Sequence, residues 1–189
     1  MSLADRLRGA LAPARPDPRL PPGTPAAVMI PLLTGPPATL LFTRRTDLVR
    51  DHKGEISFPG GVRHDDDPDL LFTALRETDE ELGIAPEWFE VLGGLPPTST
   101  VVTGYVIQPF VGLLKERPVM TPSPVEIDEV LELEVARLAA VEEPVVPGGP
   151  RSPWFAYEVD GHTVWGATGR IVNQLLETLR STGWTGEED

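Results

Sequence analysis

Two long stretches of helical spacing, residues 69–82 and 167–182, are separated by short apolar runs that are typical of β-strands. These runs cover residues 26–33, 38–43, 89–95, 101–114 and 130–135. The turn-forming segment Thr34-Gly35-Pro36-Pro37 predicts a hairpin between the first two runs. Because strands outnumber helices in this pattern, the sequence predicts an α/β or α+β fold in which helices cover a mixed β-sheet.

The ends of the chain differ in character from this central pattern. Residues 1–24 combine a short amphipathic stretch with a proline-rich lead-in, so we predict an N-terminal helix without chemistry of its own. Residues 154–159 and 162–165, joined by Asp160-Gly161, predict a second hairpin. At 189 residues the chain is the size of one domain. We therefore expect a single domain over residues 25–183 and a C-terminal tail over residues 184–189.

Charge and composition exclude several classes of function. A net charge of −13 disfavours a broad basic surface for nucleic acid, and no apolar run approaches the ~18–20 residues of a membrane span. The charged N-terminus does not fit a secretory signal, so the predicted location is cytoplasmic. The chain has no cysteine, which excludes thiolate nucleophiles and cysteine-ligated zinc. An anionic substrate would need a divalent cation or a local cluster of basic residues.

The helical stretch at residues 69–82 concentrates negative charge. Glu77, Glu80 and Glu81 meet within about one and a half turns, and such neighbouring like charges destabilise a helix unless they are neutralised. The spacing places apolar residues on the opposite side: Leu71, Leu75 and Leu82. A solvated acidic face is one explanation. A divalent cation is the other, and oxygen ligands favour Mg²⁺ or Mn²⁺.

Gly61 and the segment from Arg76 to Ile84 resemble the Nudix box, G-x5-E-x7-R-E-U-x-E-E-x-G-U, where U is aliphatic. Three positions depart from the general form. Counted from Gly61, the first acidic position falls on Asp67 and not on a glutamate. Arg76 lies one residue further along the chain than the general spacing gives, and Thr78 stands at an aliphatic position. The enlarged loop leaves open which of its aspartates takes the first acidic position: Asp66, Asp67 or Asp69.

The resemblance implies a Nudix-type α/β/α sandwich and metal-dependent hydrolysis of a nucleoside diphosphate linked to another moiety. It implies Glu77 and Glu81 as principal metal ligands, Glu80 as an auxiliary ligand, and the carbonyl of Gly61 as a further candidate. Arg76 is expected to pair with a carboxylate and hold its orientation. Gly60, beside Gly61, is expected to allow close approach of the backbone.

The segment before the box narrows the expected substrate. Residues 41–61 resemble the signature of the coenzyme A pyrophosphatase branch, LLTxR(S/A)x3Rx3Gx3FPGG, with departures at Phe42 and Thr46. The same segment holds four basic residues within ten positions: Arg44, Arg45, Arg50 and Lys53. Such a cluster fits the 3′-phosphate of coenzyme A, and the resemblance favours substrate contacts for Arg45 and Arg50. Pairing with nearby carboxylates on a surface loop is the alternative.

The expected reaction is Mg²⁺- or Mn²⁺-dependent cleavage of coenzyme A or acyl-coenzyme A to 3′,5′-ADP and (acyl-)4′-phosphopantetheine. Glu126, with Glu129 as alternative, is a candidate general base in a loop that precedes a strand. Two other functions remain open: a Nudix hydrolase acting on ADP-ribose, NADH or a nucleoside triphosphate, and a Nudix-fold module that binds without turnover. The family resemblance also allows a homodimer.

Overall fold

The computed structural model describes residues 1–15, 17–46, 54–100, 103–141 and 155–186. The helices are α1 (Leu3–Ala10), α2 (Leu70–Leu82), α3 (Val135–Ala139) and α4 (Gly166–Ser181), and a 3-10 turn spans Pro86–Trp88. The strands are β1 (Thr24–Leu33), β2 (Thr39–Arg45), β3 (Ile56–Ser57), β4 (Gly60–Val62), β5 (Phe89–Gly94), β6 (Thr98–Ser99), β7 (Tyr105–Leu114), β8 (Ile127–Glu134), β9 (Tyr157–Val159) and β10 (His162–Val164).

Eight of the described strands form one mixed sheet. Its main path runs β3-β2-β1-β7-β5, while β4 pairs with β1, β6 with β7 and β8 with β2. β1 and β7 are parallel along ten residue pairs, from Thr24 with Tyr105 to Leu33 with Leu114. β1 and β2 pair antiparallel at Leu32 and Leu40, so the predicted hairpin is confirmed. The predicted fold class, a mixed sheet flanked by helices, is also confirmed.

Helices cover both faces of the sheet. On one face, α4 buries the stripe that the sequence predicts, Ile171, Val172, Leu175, Leu176 and Leu179, in a cluster that includes Ile30 of β1 and Leu7 of α1. On the other face, Met29 of β1 packs with Leu70 and Ala74 of α2. Neighbouring residues of β1 therefore face opposite layers, as the period of two in a strand requires.

The buried face of α2 differs from the sequence expectation. Leu70, Ala74 and Leu82 are buried as α2 packs against β1 and β4, whereas Leu71 and Leu75 are only partly buried. Glu81 lies on the buried face and is 3% exposed, so the placement of all three glutamates opposite the apolar side was wrong. The rotation of the helix against the sheet decides the buried face, and helical spacing alone does not give that rotation.

Local signals fix both ends of α2. The Asp69 side chain caps the helix by accepting a hydrogen bond from the Phe72 N–H at 2.8 Å. Gly83 ends it with φ of 69°, a conformation that favours glycine. Beyond that end, the N–H groups of Thr121 and Ser123 donate to the carbonyls of Leu82 and Glu81. These two bonds tie the segment before β8 to the acidic helix.

The C-terminal region largely follows the predicted pattern. β9 and β10 form the predicted hairpin, with positive φ at both Asp160 and Gly161. Trp184 packs in the same cluster as α4, Trp165 is 45% exposed, and Trp154 lies outside the described residues. Val135, predicted to end a strand, instead begins α3.

Among the described residues, none of the helices has the length and apolar character that a bilayer crossing requires.

Candidate active site

Two consecutive glycines of β4 allow the backbone to lie against the acidic helix. A Cβ on Gly61 would lie 2.6 Å from Cδ of Glu77, so the absent side chain leaves room for that carboxylate. A Cβ on Gly60, whose φ is 156°, would lie 2.6 Å from Cα of Val28 in β1. Glycine is therefore required at position 60, where a Cβ would meet backbone, whereas a Cβ at position 61 would displace the Glu77 carboxylate.

Glu81 is a buried carboxylate with incomplete hydrogen bonding. Its Oε1 lies 3.7 Å from Nη1 of Arg45, and its Oε2 is buried without a hydrogen-bond partner among the described residues. Burial raises the pKa of Glu81 to about 8, against the opposing effects of Arg45 and of the Gly60 N–H. The negative charges of Glu77 and Glu126 raise this pKa further.

Arg76 connects the loop after β4 to the helix. Its Nε donates to Oδ1 of Asp67 at 2.9 Å, and its Nη2 donates to Oδ2 at 3.0 Å. Its Nη1 lies 2.9 Å from Oε1 of Glu77 and 3.0 Å from Oε2 of Glu80. Arg76 therefore pairs with one loop carboxylate and two helix carboxylates, which agrees with the expected orienting function.

Asp67 is the loop aspartate that Arg76 engages. The Asp67 residue is 4% exposed, and its Oδ2 also accepts hydrogen bonds from the His64 N–H and the Thr73 hydroxyl. The hydrogen bonds from Arg76 hold the pKa of Asp67 well below its usual range. Asp66 is exposed, and Asp69 is occupied as the helix cap.

Glu77 and Glu80 differ in exposure. Glu77 is partly buried, and burial raises its pKa while Arg76 opposes the shift. The Glu80 side chain is 57% exposed, and its carboxylate lies beside Arg76. The structure thus brings Glu77 and Glu81 together on the side of β4, with Glu80 at the surface.

Hydrogen bonds from Thr46 hold the loop before β8, which carries Glu126. The Thr46 N–H donates to the carbonyl of Glu126 at 2.9 Å, and the Thr46 hydroxyl donates to that of Val125 at 2.7 Å. The prediction that the alternative base, Glu129, lies in this loop was wrong, because β8 begins at Ile127; within the strand, its carboxylate lies 3.0 Å from Nη2 of Arg44. Sequence reasoning treated Thr46 only as a departure from the signature, whereas the structure shows that it holds the backbone beside Glu126.

Two arginines of the basic cluster lie in different environments. Arg45 faces Glu81, whereas Arg44 lies 2.8 Å from Asp128 and is paired at the surface, as the charge-pairing alternative predicts for it. Arg50 and Lys53 lie outside the described residues.

A cavity of about 170 Å³ adjoins Gly60 and Gly61. Arg45 lines it, so the same side chain borders both this cavity and Glu81. Its other walls come from β1, β3 and β7, from the segment around Thr100, and from the first turn of α4.

Comparison with known proteins identifies the family. A family model for the NUDIX domain matches residues 23–152. The chain is 33% identical over 159 residues to the "Uncharacterized Nudix hydrolase NudL" of Photorhabdus laumondii, covering 82% of this chain and 84% of that protein. A NudL protein of Klebsiella pneumoniae is 36% identical over 155 residues, covering 79% and 80%. The chain belongs to the Nudix hydrolase family.

Solved structures agree at the level of fold. The Nudix hydrolase RenU of M. smegmatis has a TM-score of 0.52 and 19% identity, covering 68% of this chain and 81% of that one. An Ap4A hydrolase of C. elegans, in a binary complex, has a TM-score of 0.52 and 17% identity, covering 59% and 80%. The mixed sheet and its covering helices thus have the Nudix arrangement, and membership in the family makes the chain a pyrophosphatase-type enzyme.

The donor groups of this Nudix site fit a divalent cation. In the described ranges, no group of three or more histidine, aspartate or glutamate side chains is gathered around one metal position. The fit rests instead on the buried Glu81 Oε2 without a hydrogen bond, the neighbouring Glu77 and the backbone of Gly61. These are oxygen donors, which suit Mg²⁺ or Mn²⁺. A cation there would offset the energetic cost of ionising a buried carboxylate.

We expect the metal-free Nudix hydrolase to lose stability as pH rises from about 5 to 8. Glu81 has a higher pKa in the folded state than its ordinary value of 4.5, so folding binds a proton and ionisation at higher pH opposes folding. The expected fall in unfolding free energy is about 2–5 kcal/mol, since each pKa unit corresponds to about 1.4 kcal/mol. Urea denaturation in EDTA at several pH values measures it.

Two controls accompany that measurement. Glu81→Gln should reduce the decline between pH 5 and 8 to the part contributed by Glu77, whose pKa is also raised, and excess Mg²⁺ or Mn²⁺ should restore stability to the unaltered protein at pH 8. Asp67 has the opposite shift, but its contribution is lost only as pH falls below its unfolded pKa of about 4, outside this window. A decline of the same size in Glu81→Gln would contradict the assignment to Glu81.

Proposed function

We propose that this Nudix hydrolase cleaves the diphosphate bond of coenzyme A or its acyl derivatives with Mg²⁺ or Mn²⁺. The products are 3′,5′-ADP and (acyl-)4′-phosphopantetheine. The observation that carries the proposal is the position of Arg45, a signature residue that borders both Glu81 and the adjoining cavity. Three other signature residues, Phe58, Gly60 and Gly61, line the same cavity, so the signature and the acidic helix meet at one place.

In this proposal Glu77 and Glu81 are the principal metal ligands, the carbonyl of Gly61 is a further ligand, and Glu80 is auxiliary. A divalent cation bound there supplies positive charge for the diphosphate and favours ionisation of an attacking water. Arg76, fixed by Asp67, orients the carboxylate of Glu77. Arg45 neutralises negative charge on the substrate beside Glu81.

Glu126 is the proposed general base. The loop that carries it is bonded to α2, where the Ser123 N–H donates to the carbonyl of Glu81 at 2.9 Å, and this supports a position from which Glu126 would activate a water near the metal-binding carboxylates. Glu129 is less suitable because Arg44 already holds its carboxylate. Hydrogen bonds from the Thr46 N–H and hydroxyl to the carbonyls of Glu126 and Val125 fix the position of this loop.

Other functions of a Nudix fold provide the alternatives. The first alternative is a Nudix hydrolase that acts on a different nucleoside diphosphate derivative, such as ADP-ribose or NADH. A binding module without turnover is the second alternative, because Asp67 stands where the Nudix box has glutamate. The cytoplasmic location, the homodimer, and the domain limits at residues 25 and 183 stay predictions.

A competition assay tests the substrate. Coenzyme A, 3′-dephospho-coenzyme A, ADP-ribose and NADH are incubated together at equal concentrations with the protein and Mn²⁺, and their rates of loss give relative kcat/KM. We expect coenzyme A to be consumed first and the dephosphorylated form more slowly. Faster loss of ADP-ribose or NADH would overturn the coenzyme A assignment. Thermal stabilisation by these compounds without any product would favour the binding module.

The adjacent arginines provide a matched pair of variants. Arg45→Ala should lower kcat/KM for coenzyme A by about 10- to 100-fold, because removing it takes a positive charge from beside the diphosphate. Arg44→Ala should change it by less than about threefold, since Arg44 is paired at the surface with Asp128 and Glu129. Steady-state kinetics on both variants measures the difference. Equal losses of kcat/KM in the two variants would contradict the assignment of Arg45 to the site and of Arg44 to a surface ion pair.

A further inference from the structure

The cavity beside Gly60 and Gly61 is too small for a whole coenzyme A molecule. Its volume of about 170 Å³ is below the ~300 Å³ at which pockets for complete small ligands begin. It adjoins the proposed diphosphate position, because Arg45 borders both the cavity and Glu81. The cavity can therefore accept only one end of a substrate whose diphosphate lies at Arg45.

The walls of the cavity are mainly uncharged. Val28, Ile107 and Ile171 supply apolar surface. Hydroxyl groups are also present, and each can donate and accept a hydrogen bond; they belong to Ser57, Thr100, Thr103, Tyr105 and Thr168. Among the described lining residues, charge is limited to one basic and one acidic side chain, Arg45 and Glu55.

This chemistry distinguishes between the two halves of coenzyme A. The nucleotide half carries a 3′-phosphate on the ribose next to the base, and burying that group requires basic partners. The pantetheine half is a narrow chain with methyl groups and amides and no charge, so apolar walls with scattered hydroxyls suit it. Resting on the proposed function, we propose that this cavity binds the part of the pantetheine arm that follows the diphosphate and leaves the nucleotide half outside.

Thr168 offers a way to fill the cavity. It lies in the first turn of α4 and is half-buried, so a larger side chain there would extend into the cavity without replacing a residue of the α4 core stripe. Thr168→Phe is the test variant, and Thr168→Leu, a smaller addition, is measured in parallel in case the larger one disturbs folding. Thr163→Phe, on the exposed face of β10, is the matched control.

The two reaction products report on the two halves separately. In Thr168→Phe, the inhibition constant of 4′-phosphopantetheine should rise about tenfold or more, while that of 3′,5′-ADP changes less than about twofold. Thr168→Leu should give a smaller rise in the inhibition constant of 4′-phosphopantetheine, and Thr163→Phe should change neither inhibition constant. Thermal unfolding verifies that each variant is folded.

Each outcome decides the proposal. If only the inhibition constant of 3′,5′-ADP rises in Thr168→Phe, the cavity holds the nucleotide half and the proposal is wrong. Equal rises in both inhibition constants, or no change in either, would also overturn the proposal. Failure of the proposed function has a different signature, because the unaltered protein would then not cleave coenzyme A at all. If the unaltered protein cleaves coenzyme A but the Thr168 variants leave both inhibition constants unchanged, only the role of the cavity is refuted.

Discussion

Glu81→Gln should lower turnover by at least about a hundredfold while the protein keeps its fold, because it removes the charge of a proposed metal ligand. Glutamine nearly preserves the shape of this buried side chain, so packing against β1 and β4 should survive. Burial without a complete set of hydrogen bonds already makes the ionised form of Glu81 costly. The ionised Glu81 therefore lowers the stability of the fold on its own and is suited to bind a cation.

The experiment needs a control on the same helix. Asp79 is exposed on α2, so Asp79→Asn removes one charge from the helix without touching the site, and its kcat should stay within about twofold. Circular dichroism verifies the helix content of both variants. Titration with Mn²⁺ gives a second readout, in which Glu81→Gln should bind more weakly and Asp79→Asn should not. Near-normal turnover in Glu81→Gln would remove the metal assignment.

Asp67→Ala should lower the unfolding free energy by about 3 kcal/mol and reduce activity as well. The change removes the buried partner of Arg76 and leaves a largely buried guanidinium with fewer hydrogen bonds, a loss of about 3–5 kcal/mol in buried ion pairs. The exposed part of Arg76 and its remaining contacts with Glu77 and Glu80 reduce that figure. Activity should fall because Arg76 no longer holds Glu77 in a fixed orientation.

The neighbouring aspartates form a graded control series. Asp66→Ala, at an exposed position, should cost less than about 0.5 kcal/mol. Asp69→Ala should cost about 1 kcal/mol, the usual effect of losing a helix cap. Urea denaturation at pH 7 measures all three variants. An Asp66→Ala variant as damaging as Asp67→Ala would contradict the assignment of Asp67 as the partner of Arg76.

The main elements of the fold could be predicted because their signals are local. Helical spacing over residues 69–82 predicted α2, Asp160-Gly161 forms the second hairpin, and the apolar stripe of α4 follows helical spacing. The burial of Glu81 could not be predicted in this way. Glutamate on a helix is usually exposed, and only the packing of α2 against the sheet places this one in the interior.

The details of the site depended on contacts between distant segments. Counting from Gly61 indicated Asp67, but the extra loop residue left three aspartates as candidates, and only the structure shows that Arg76 pairs with Asp67. The position of Glu126 depends on Thr46 and on the bonds that tie residues 121 and 123 to the end of α2. No periodic pattern in the sequence encodes such contacts. The expected contact from Arg50 lies outside the described residues and stays a prediction.

The central claim is metal-dependent hydrolysis of the coenzyme A diphosphate at the site built from Glu77 and Glu81. The most direct test incubates the purified protein with coenzyme A alone, in Mg²⁺ or Mn²⁺ and in EDTA, and identifies the products by mass spectrometry. We predict 3′,5′-ADP and 4′-phosphopantetheine in equal amounts with either metal and intact coenzyme A in EDTA. Intact coenzyme A under all three conditions would contradict the account.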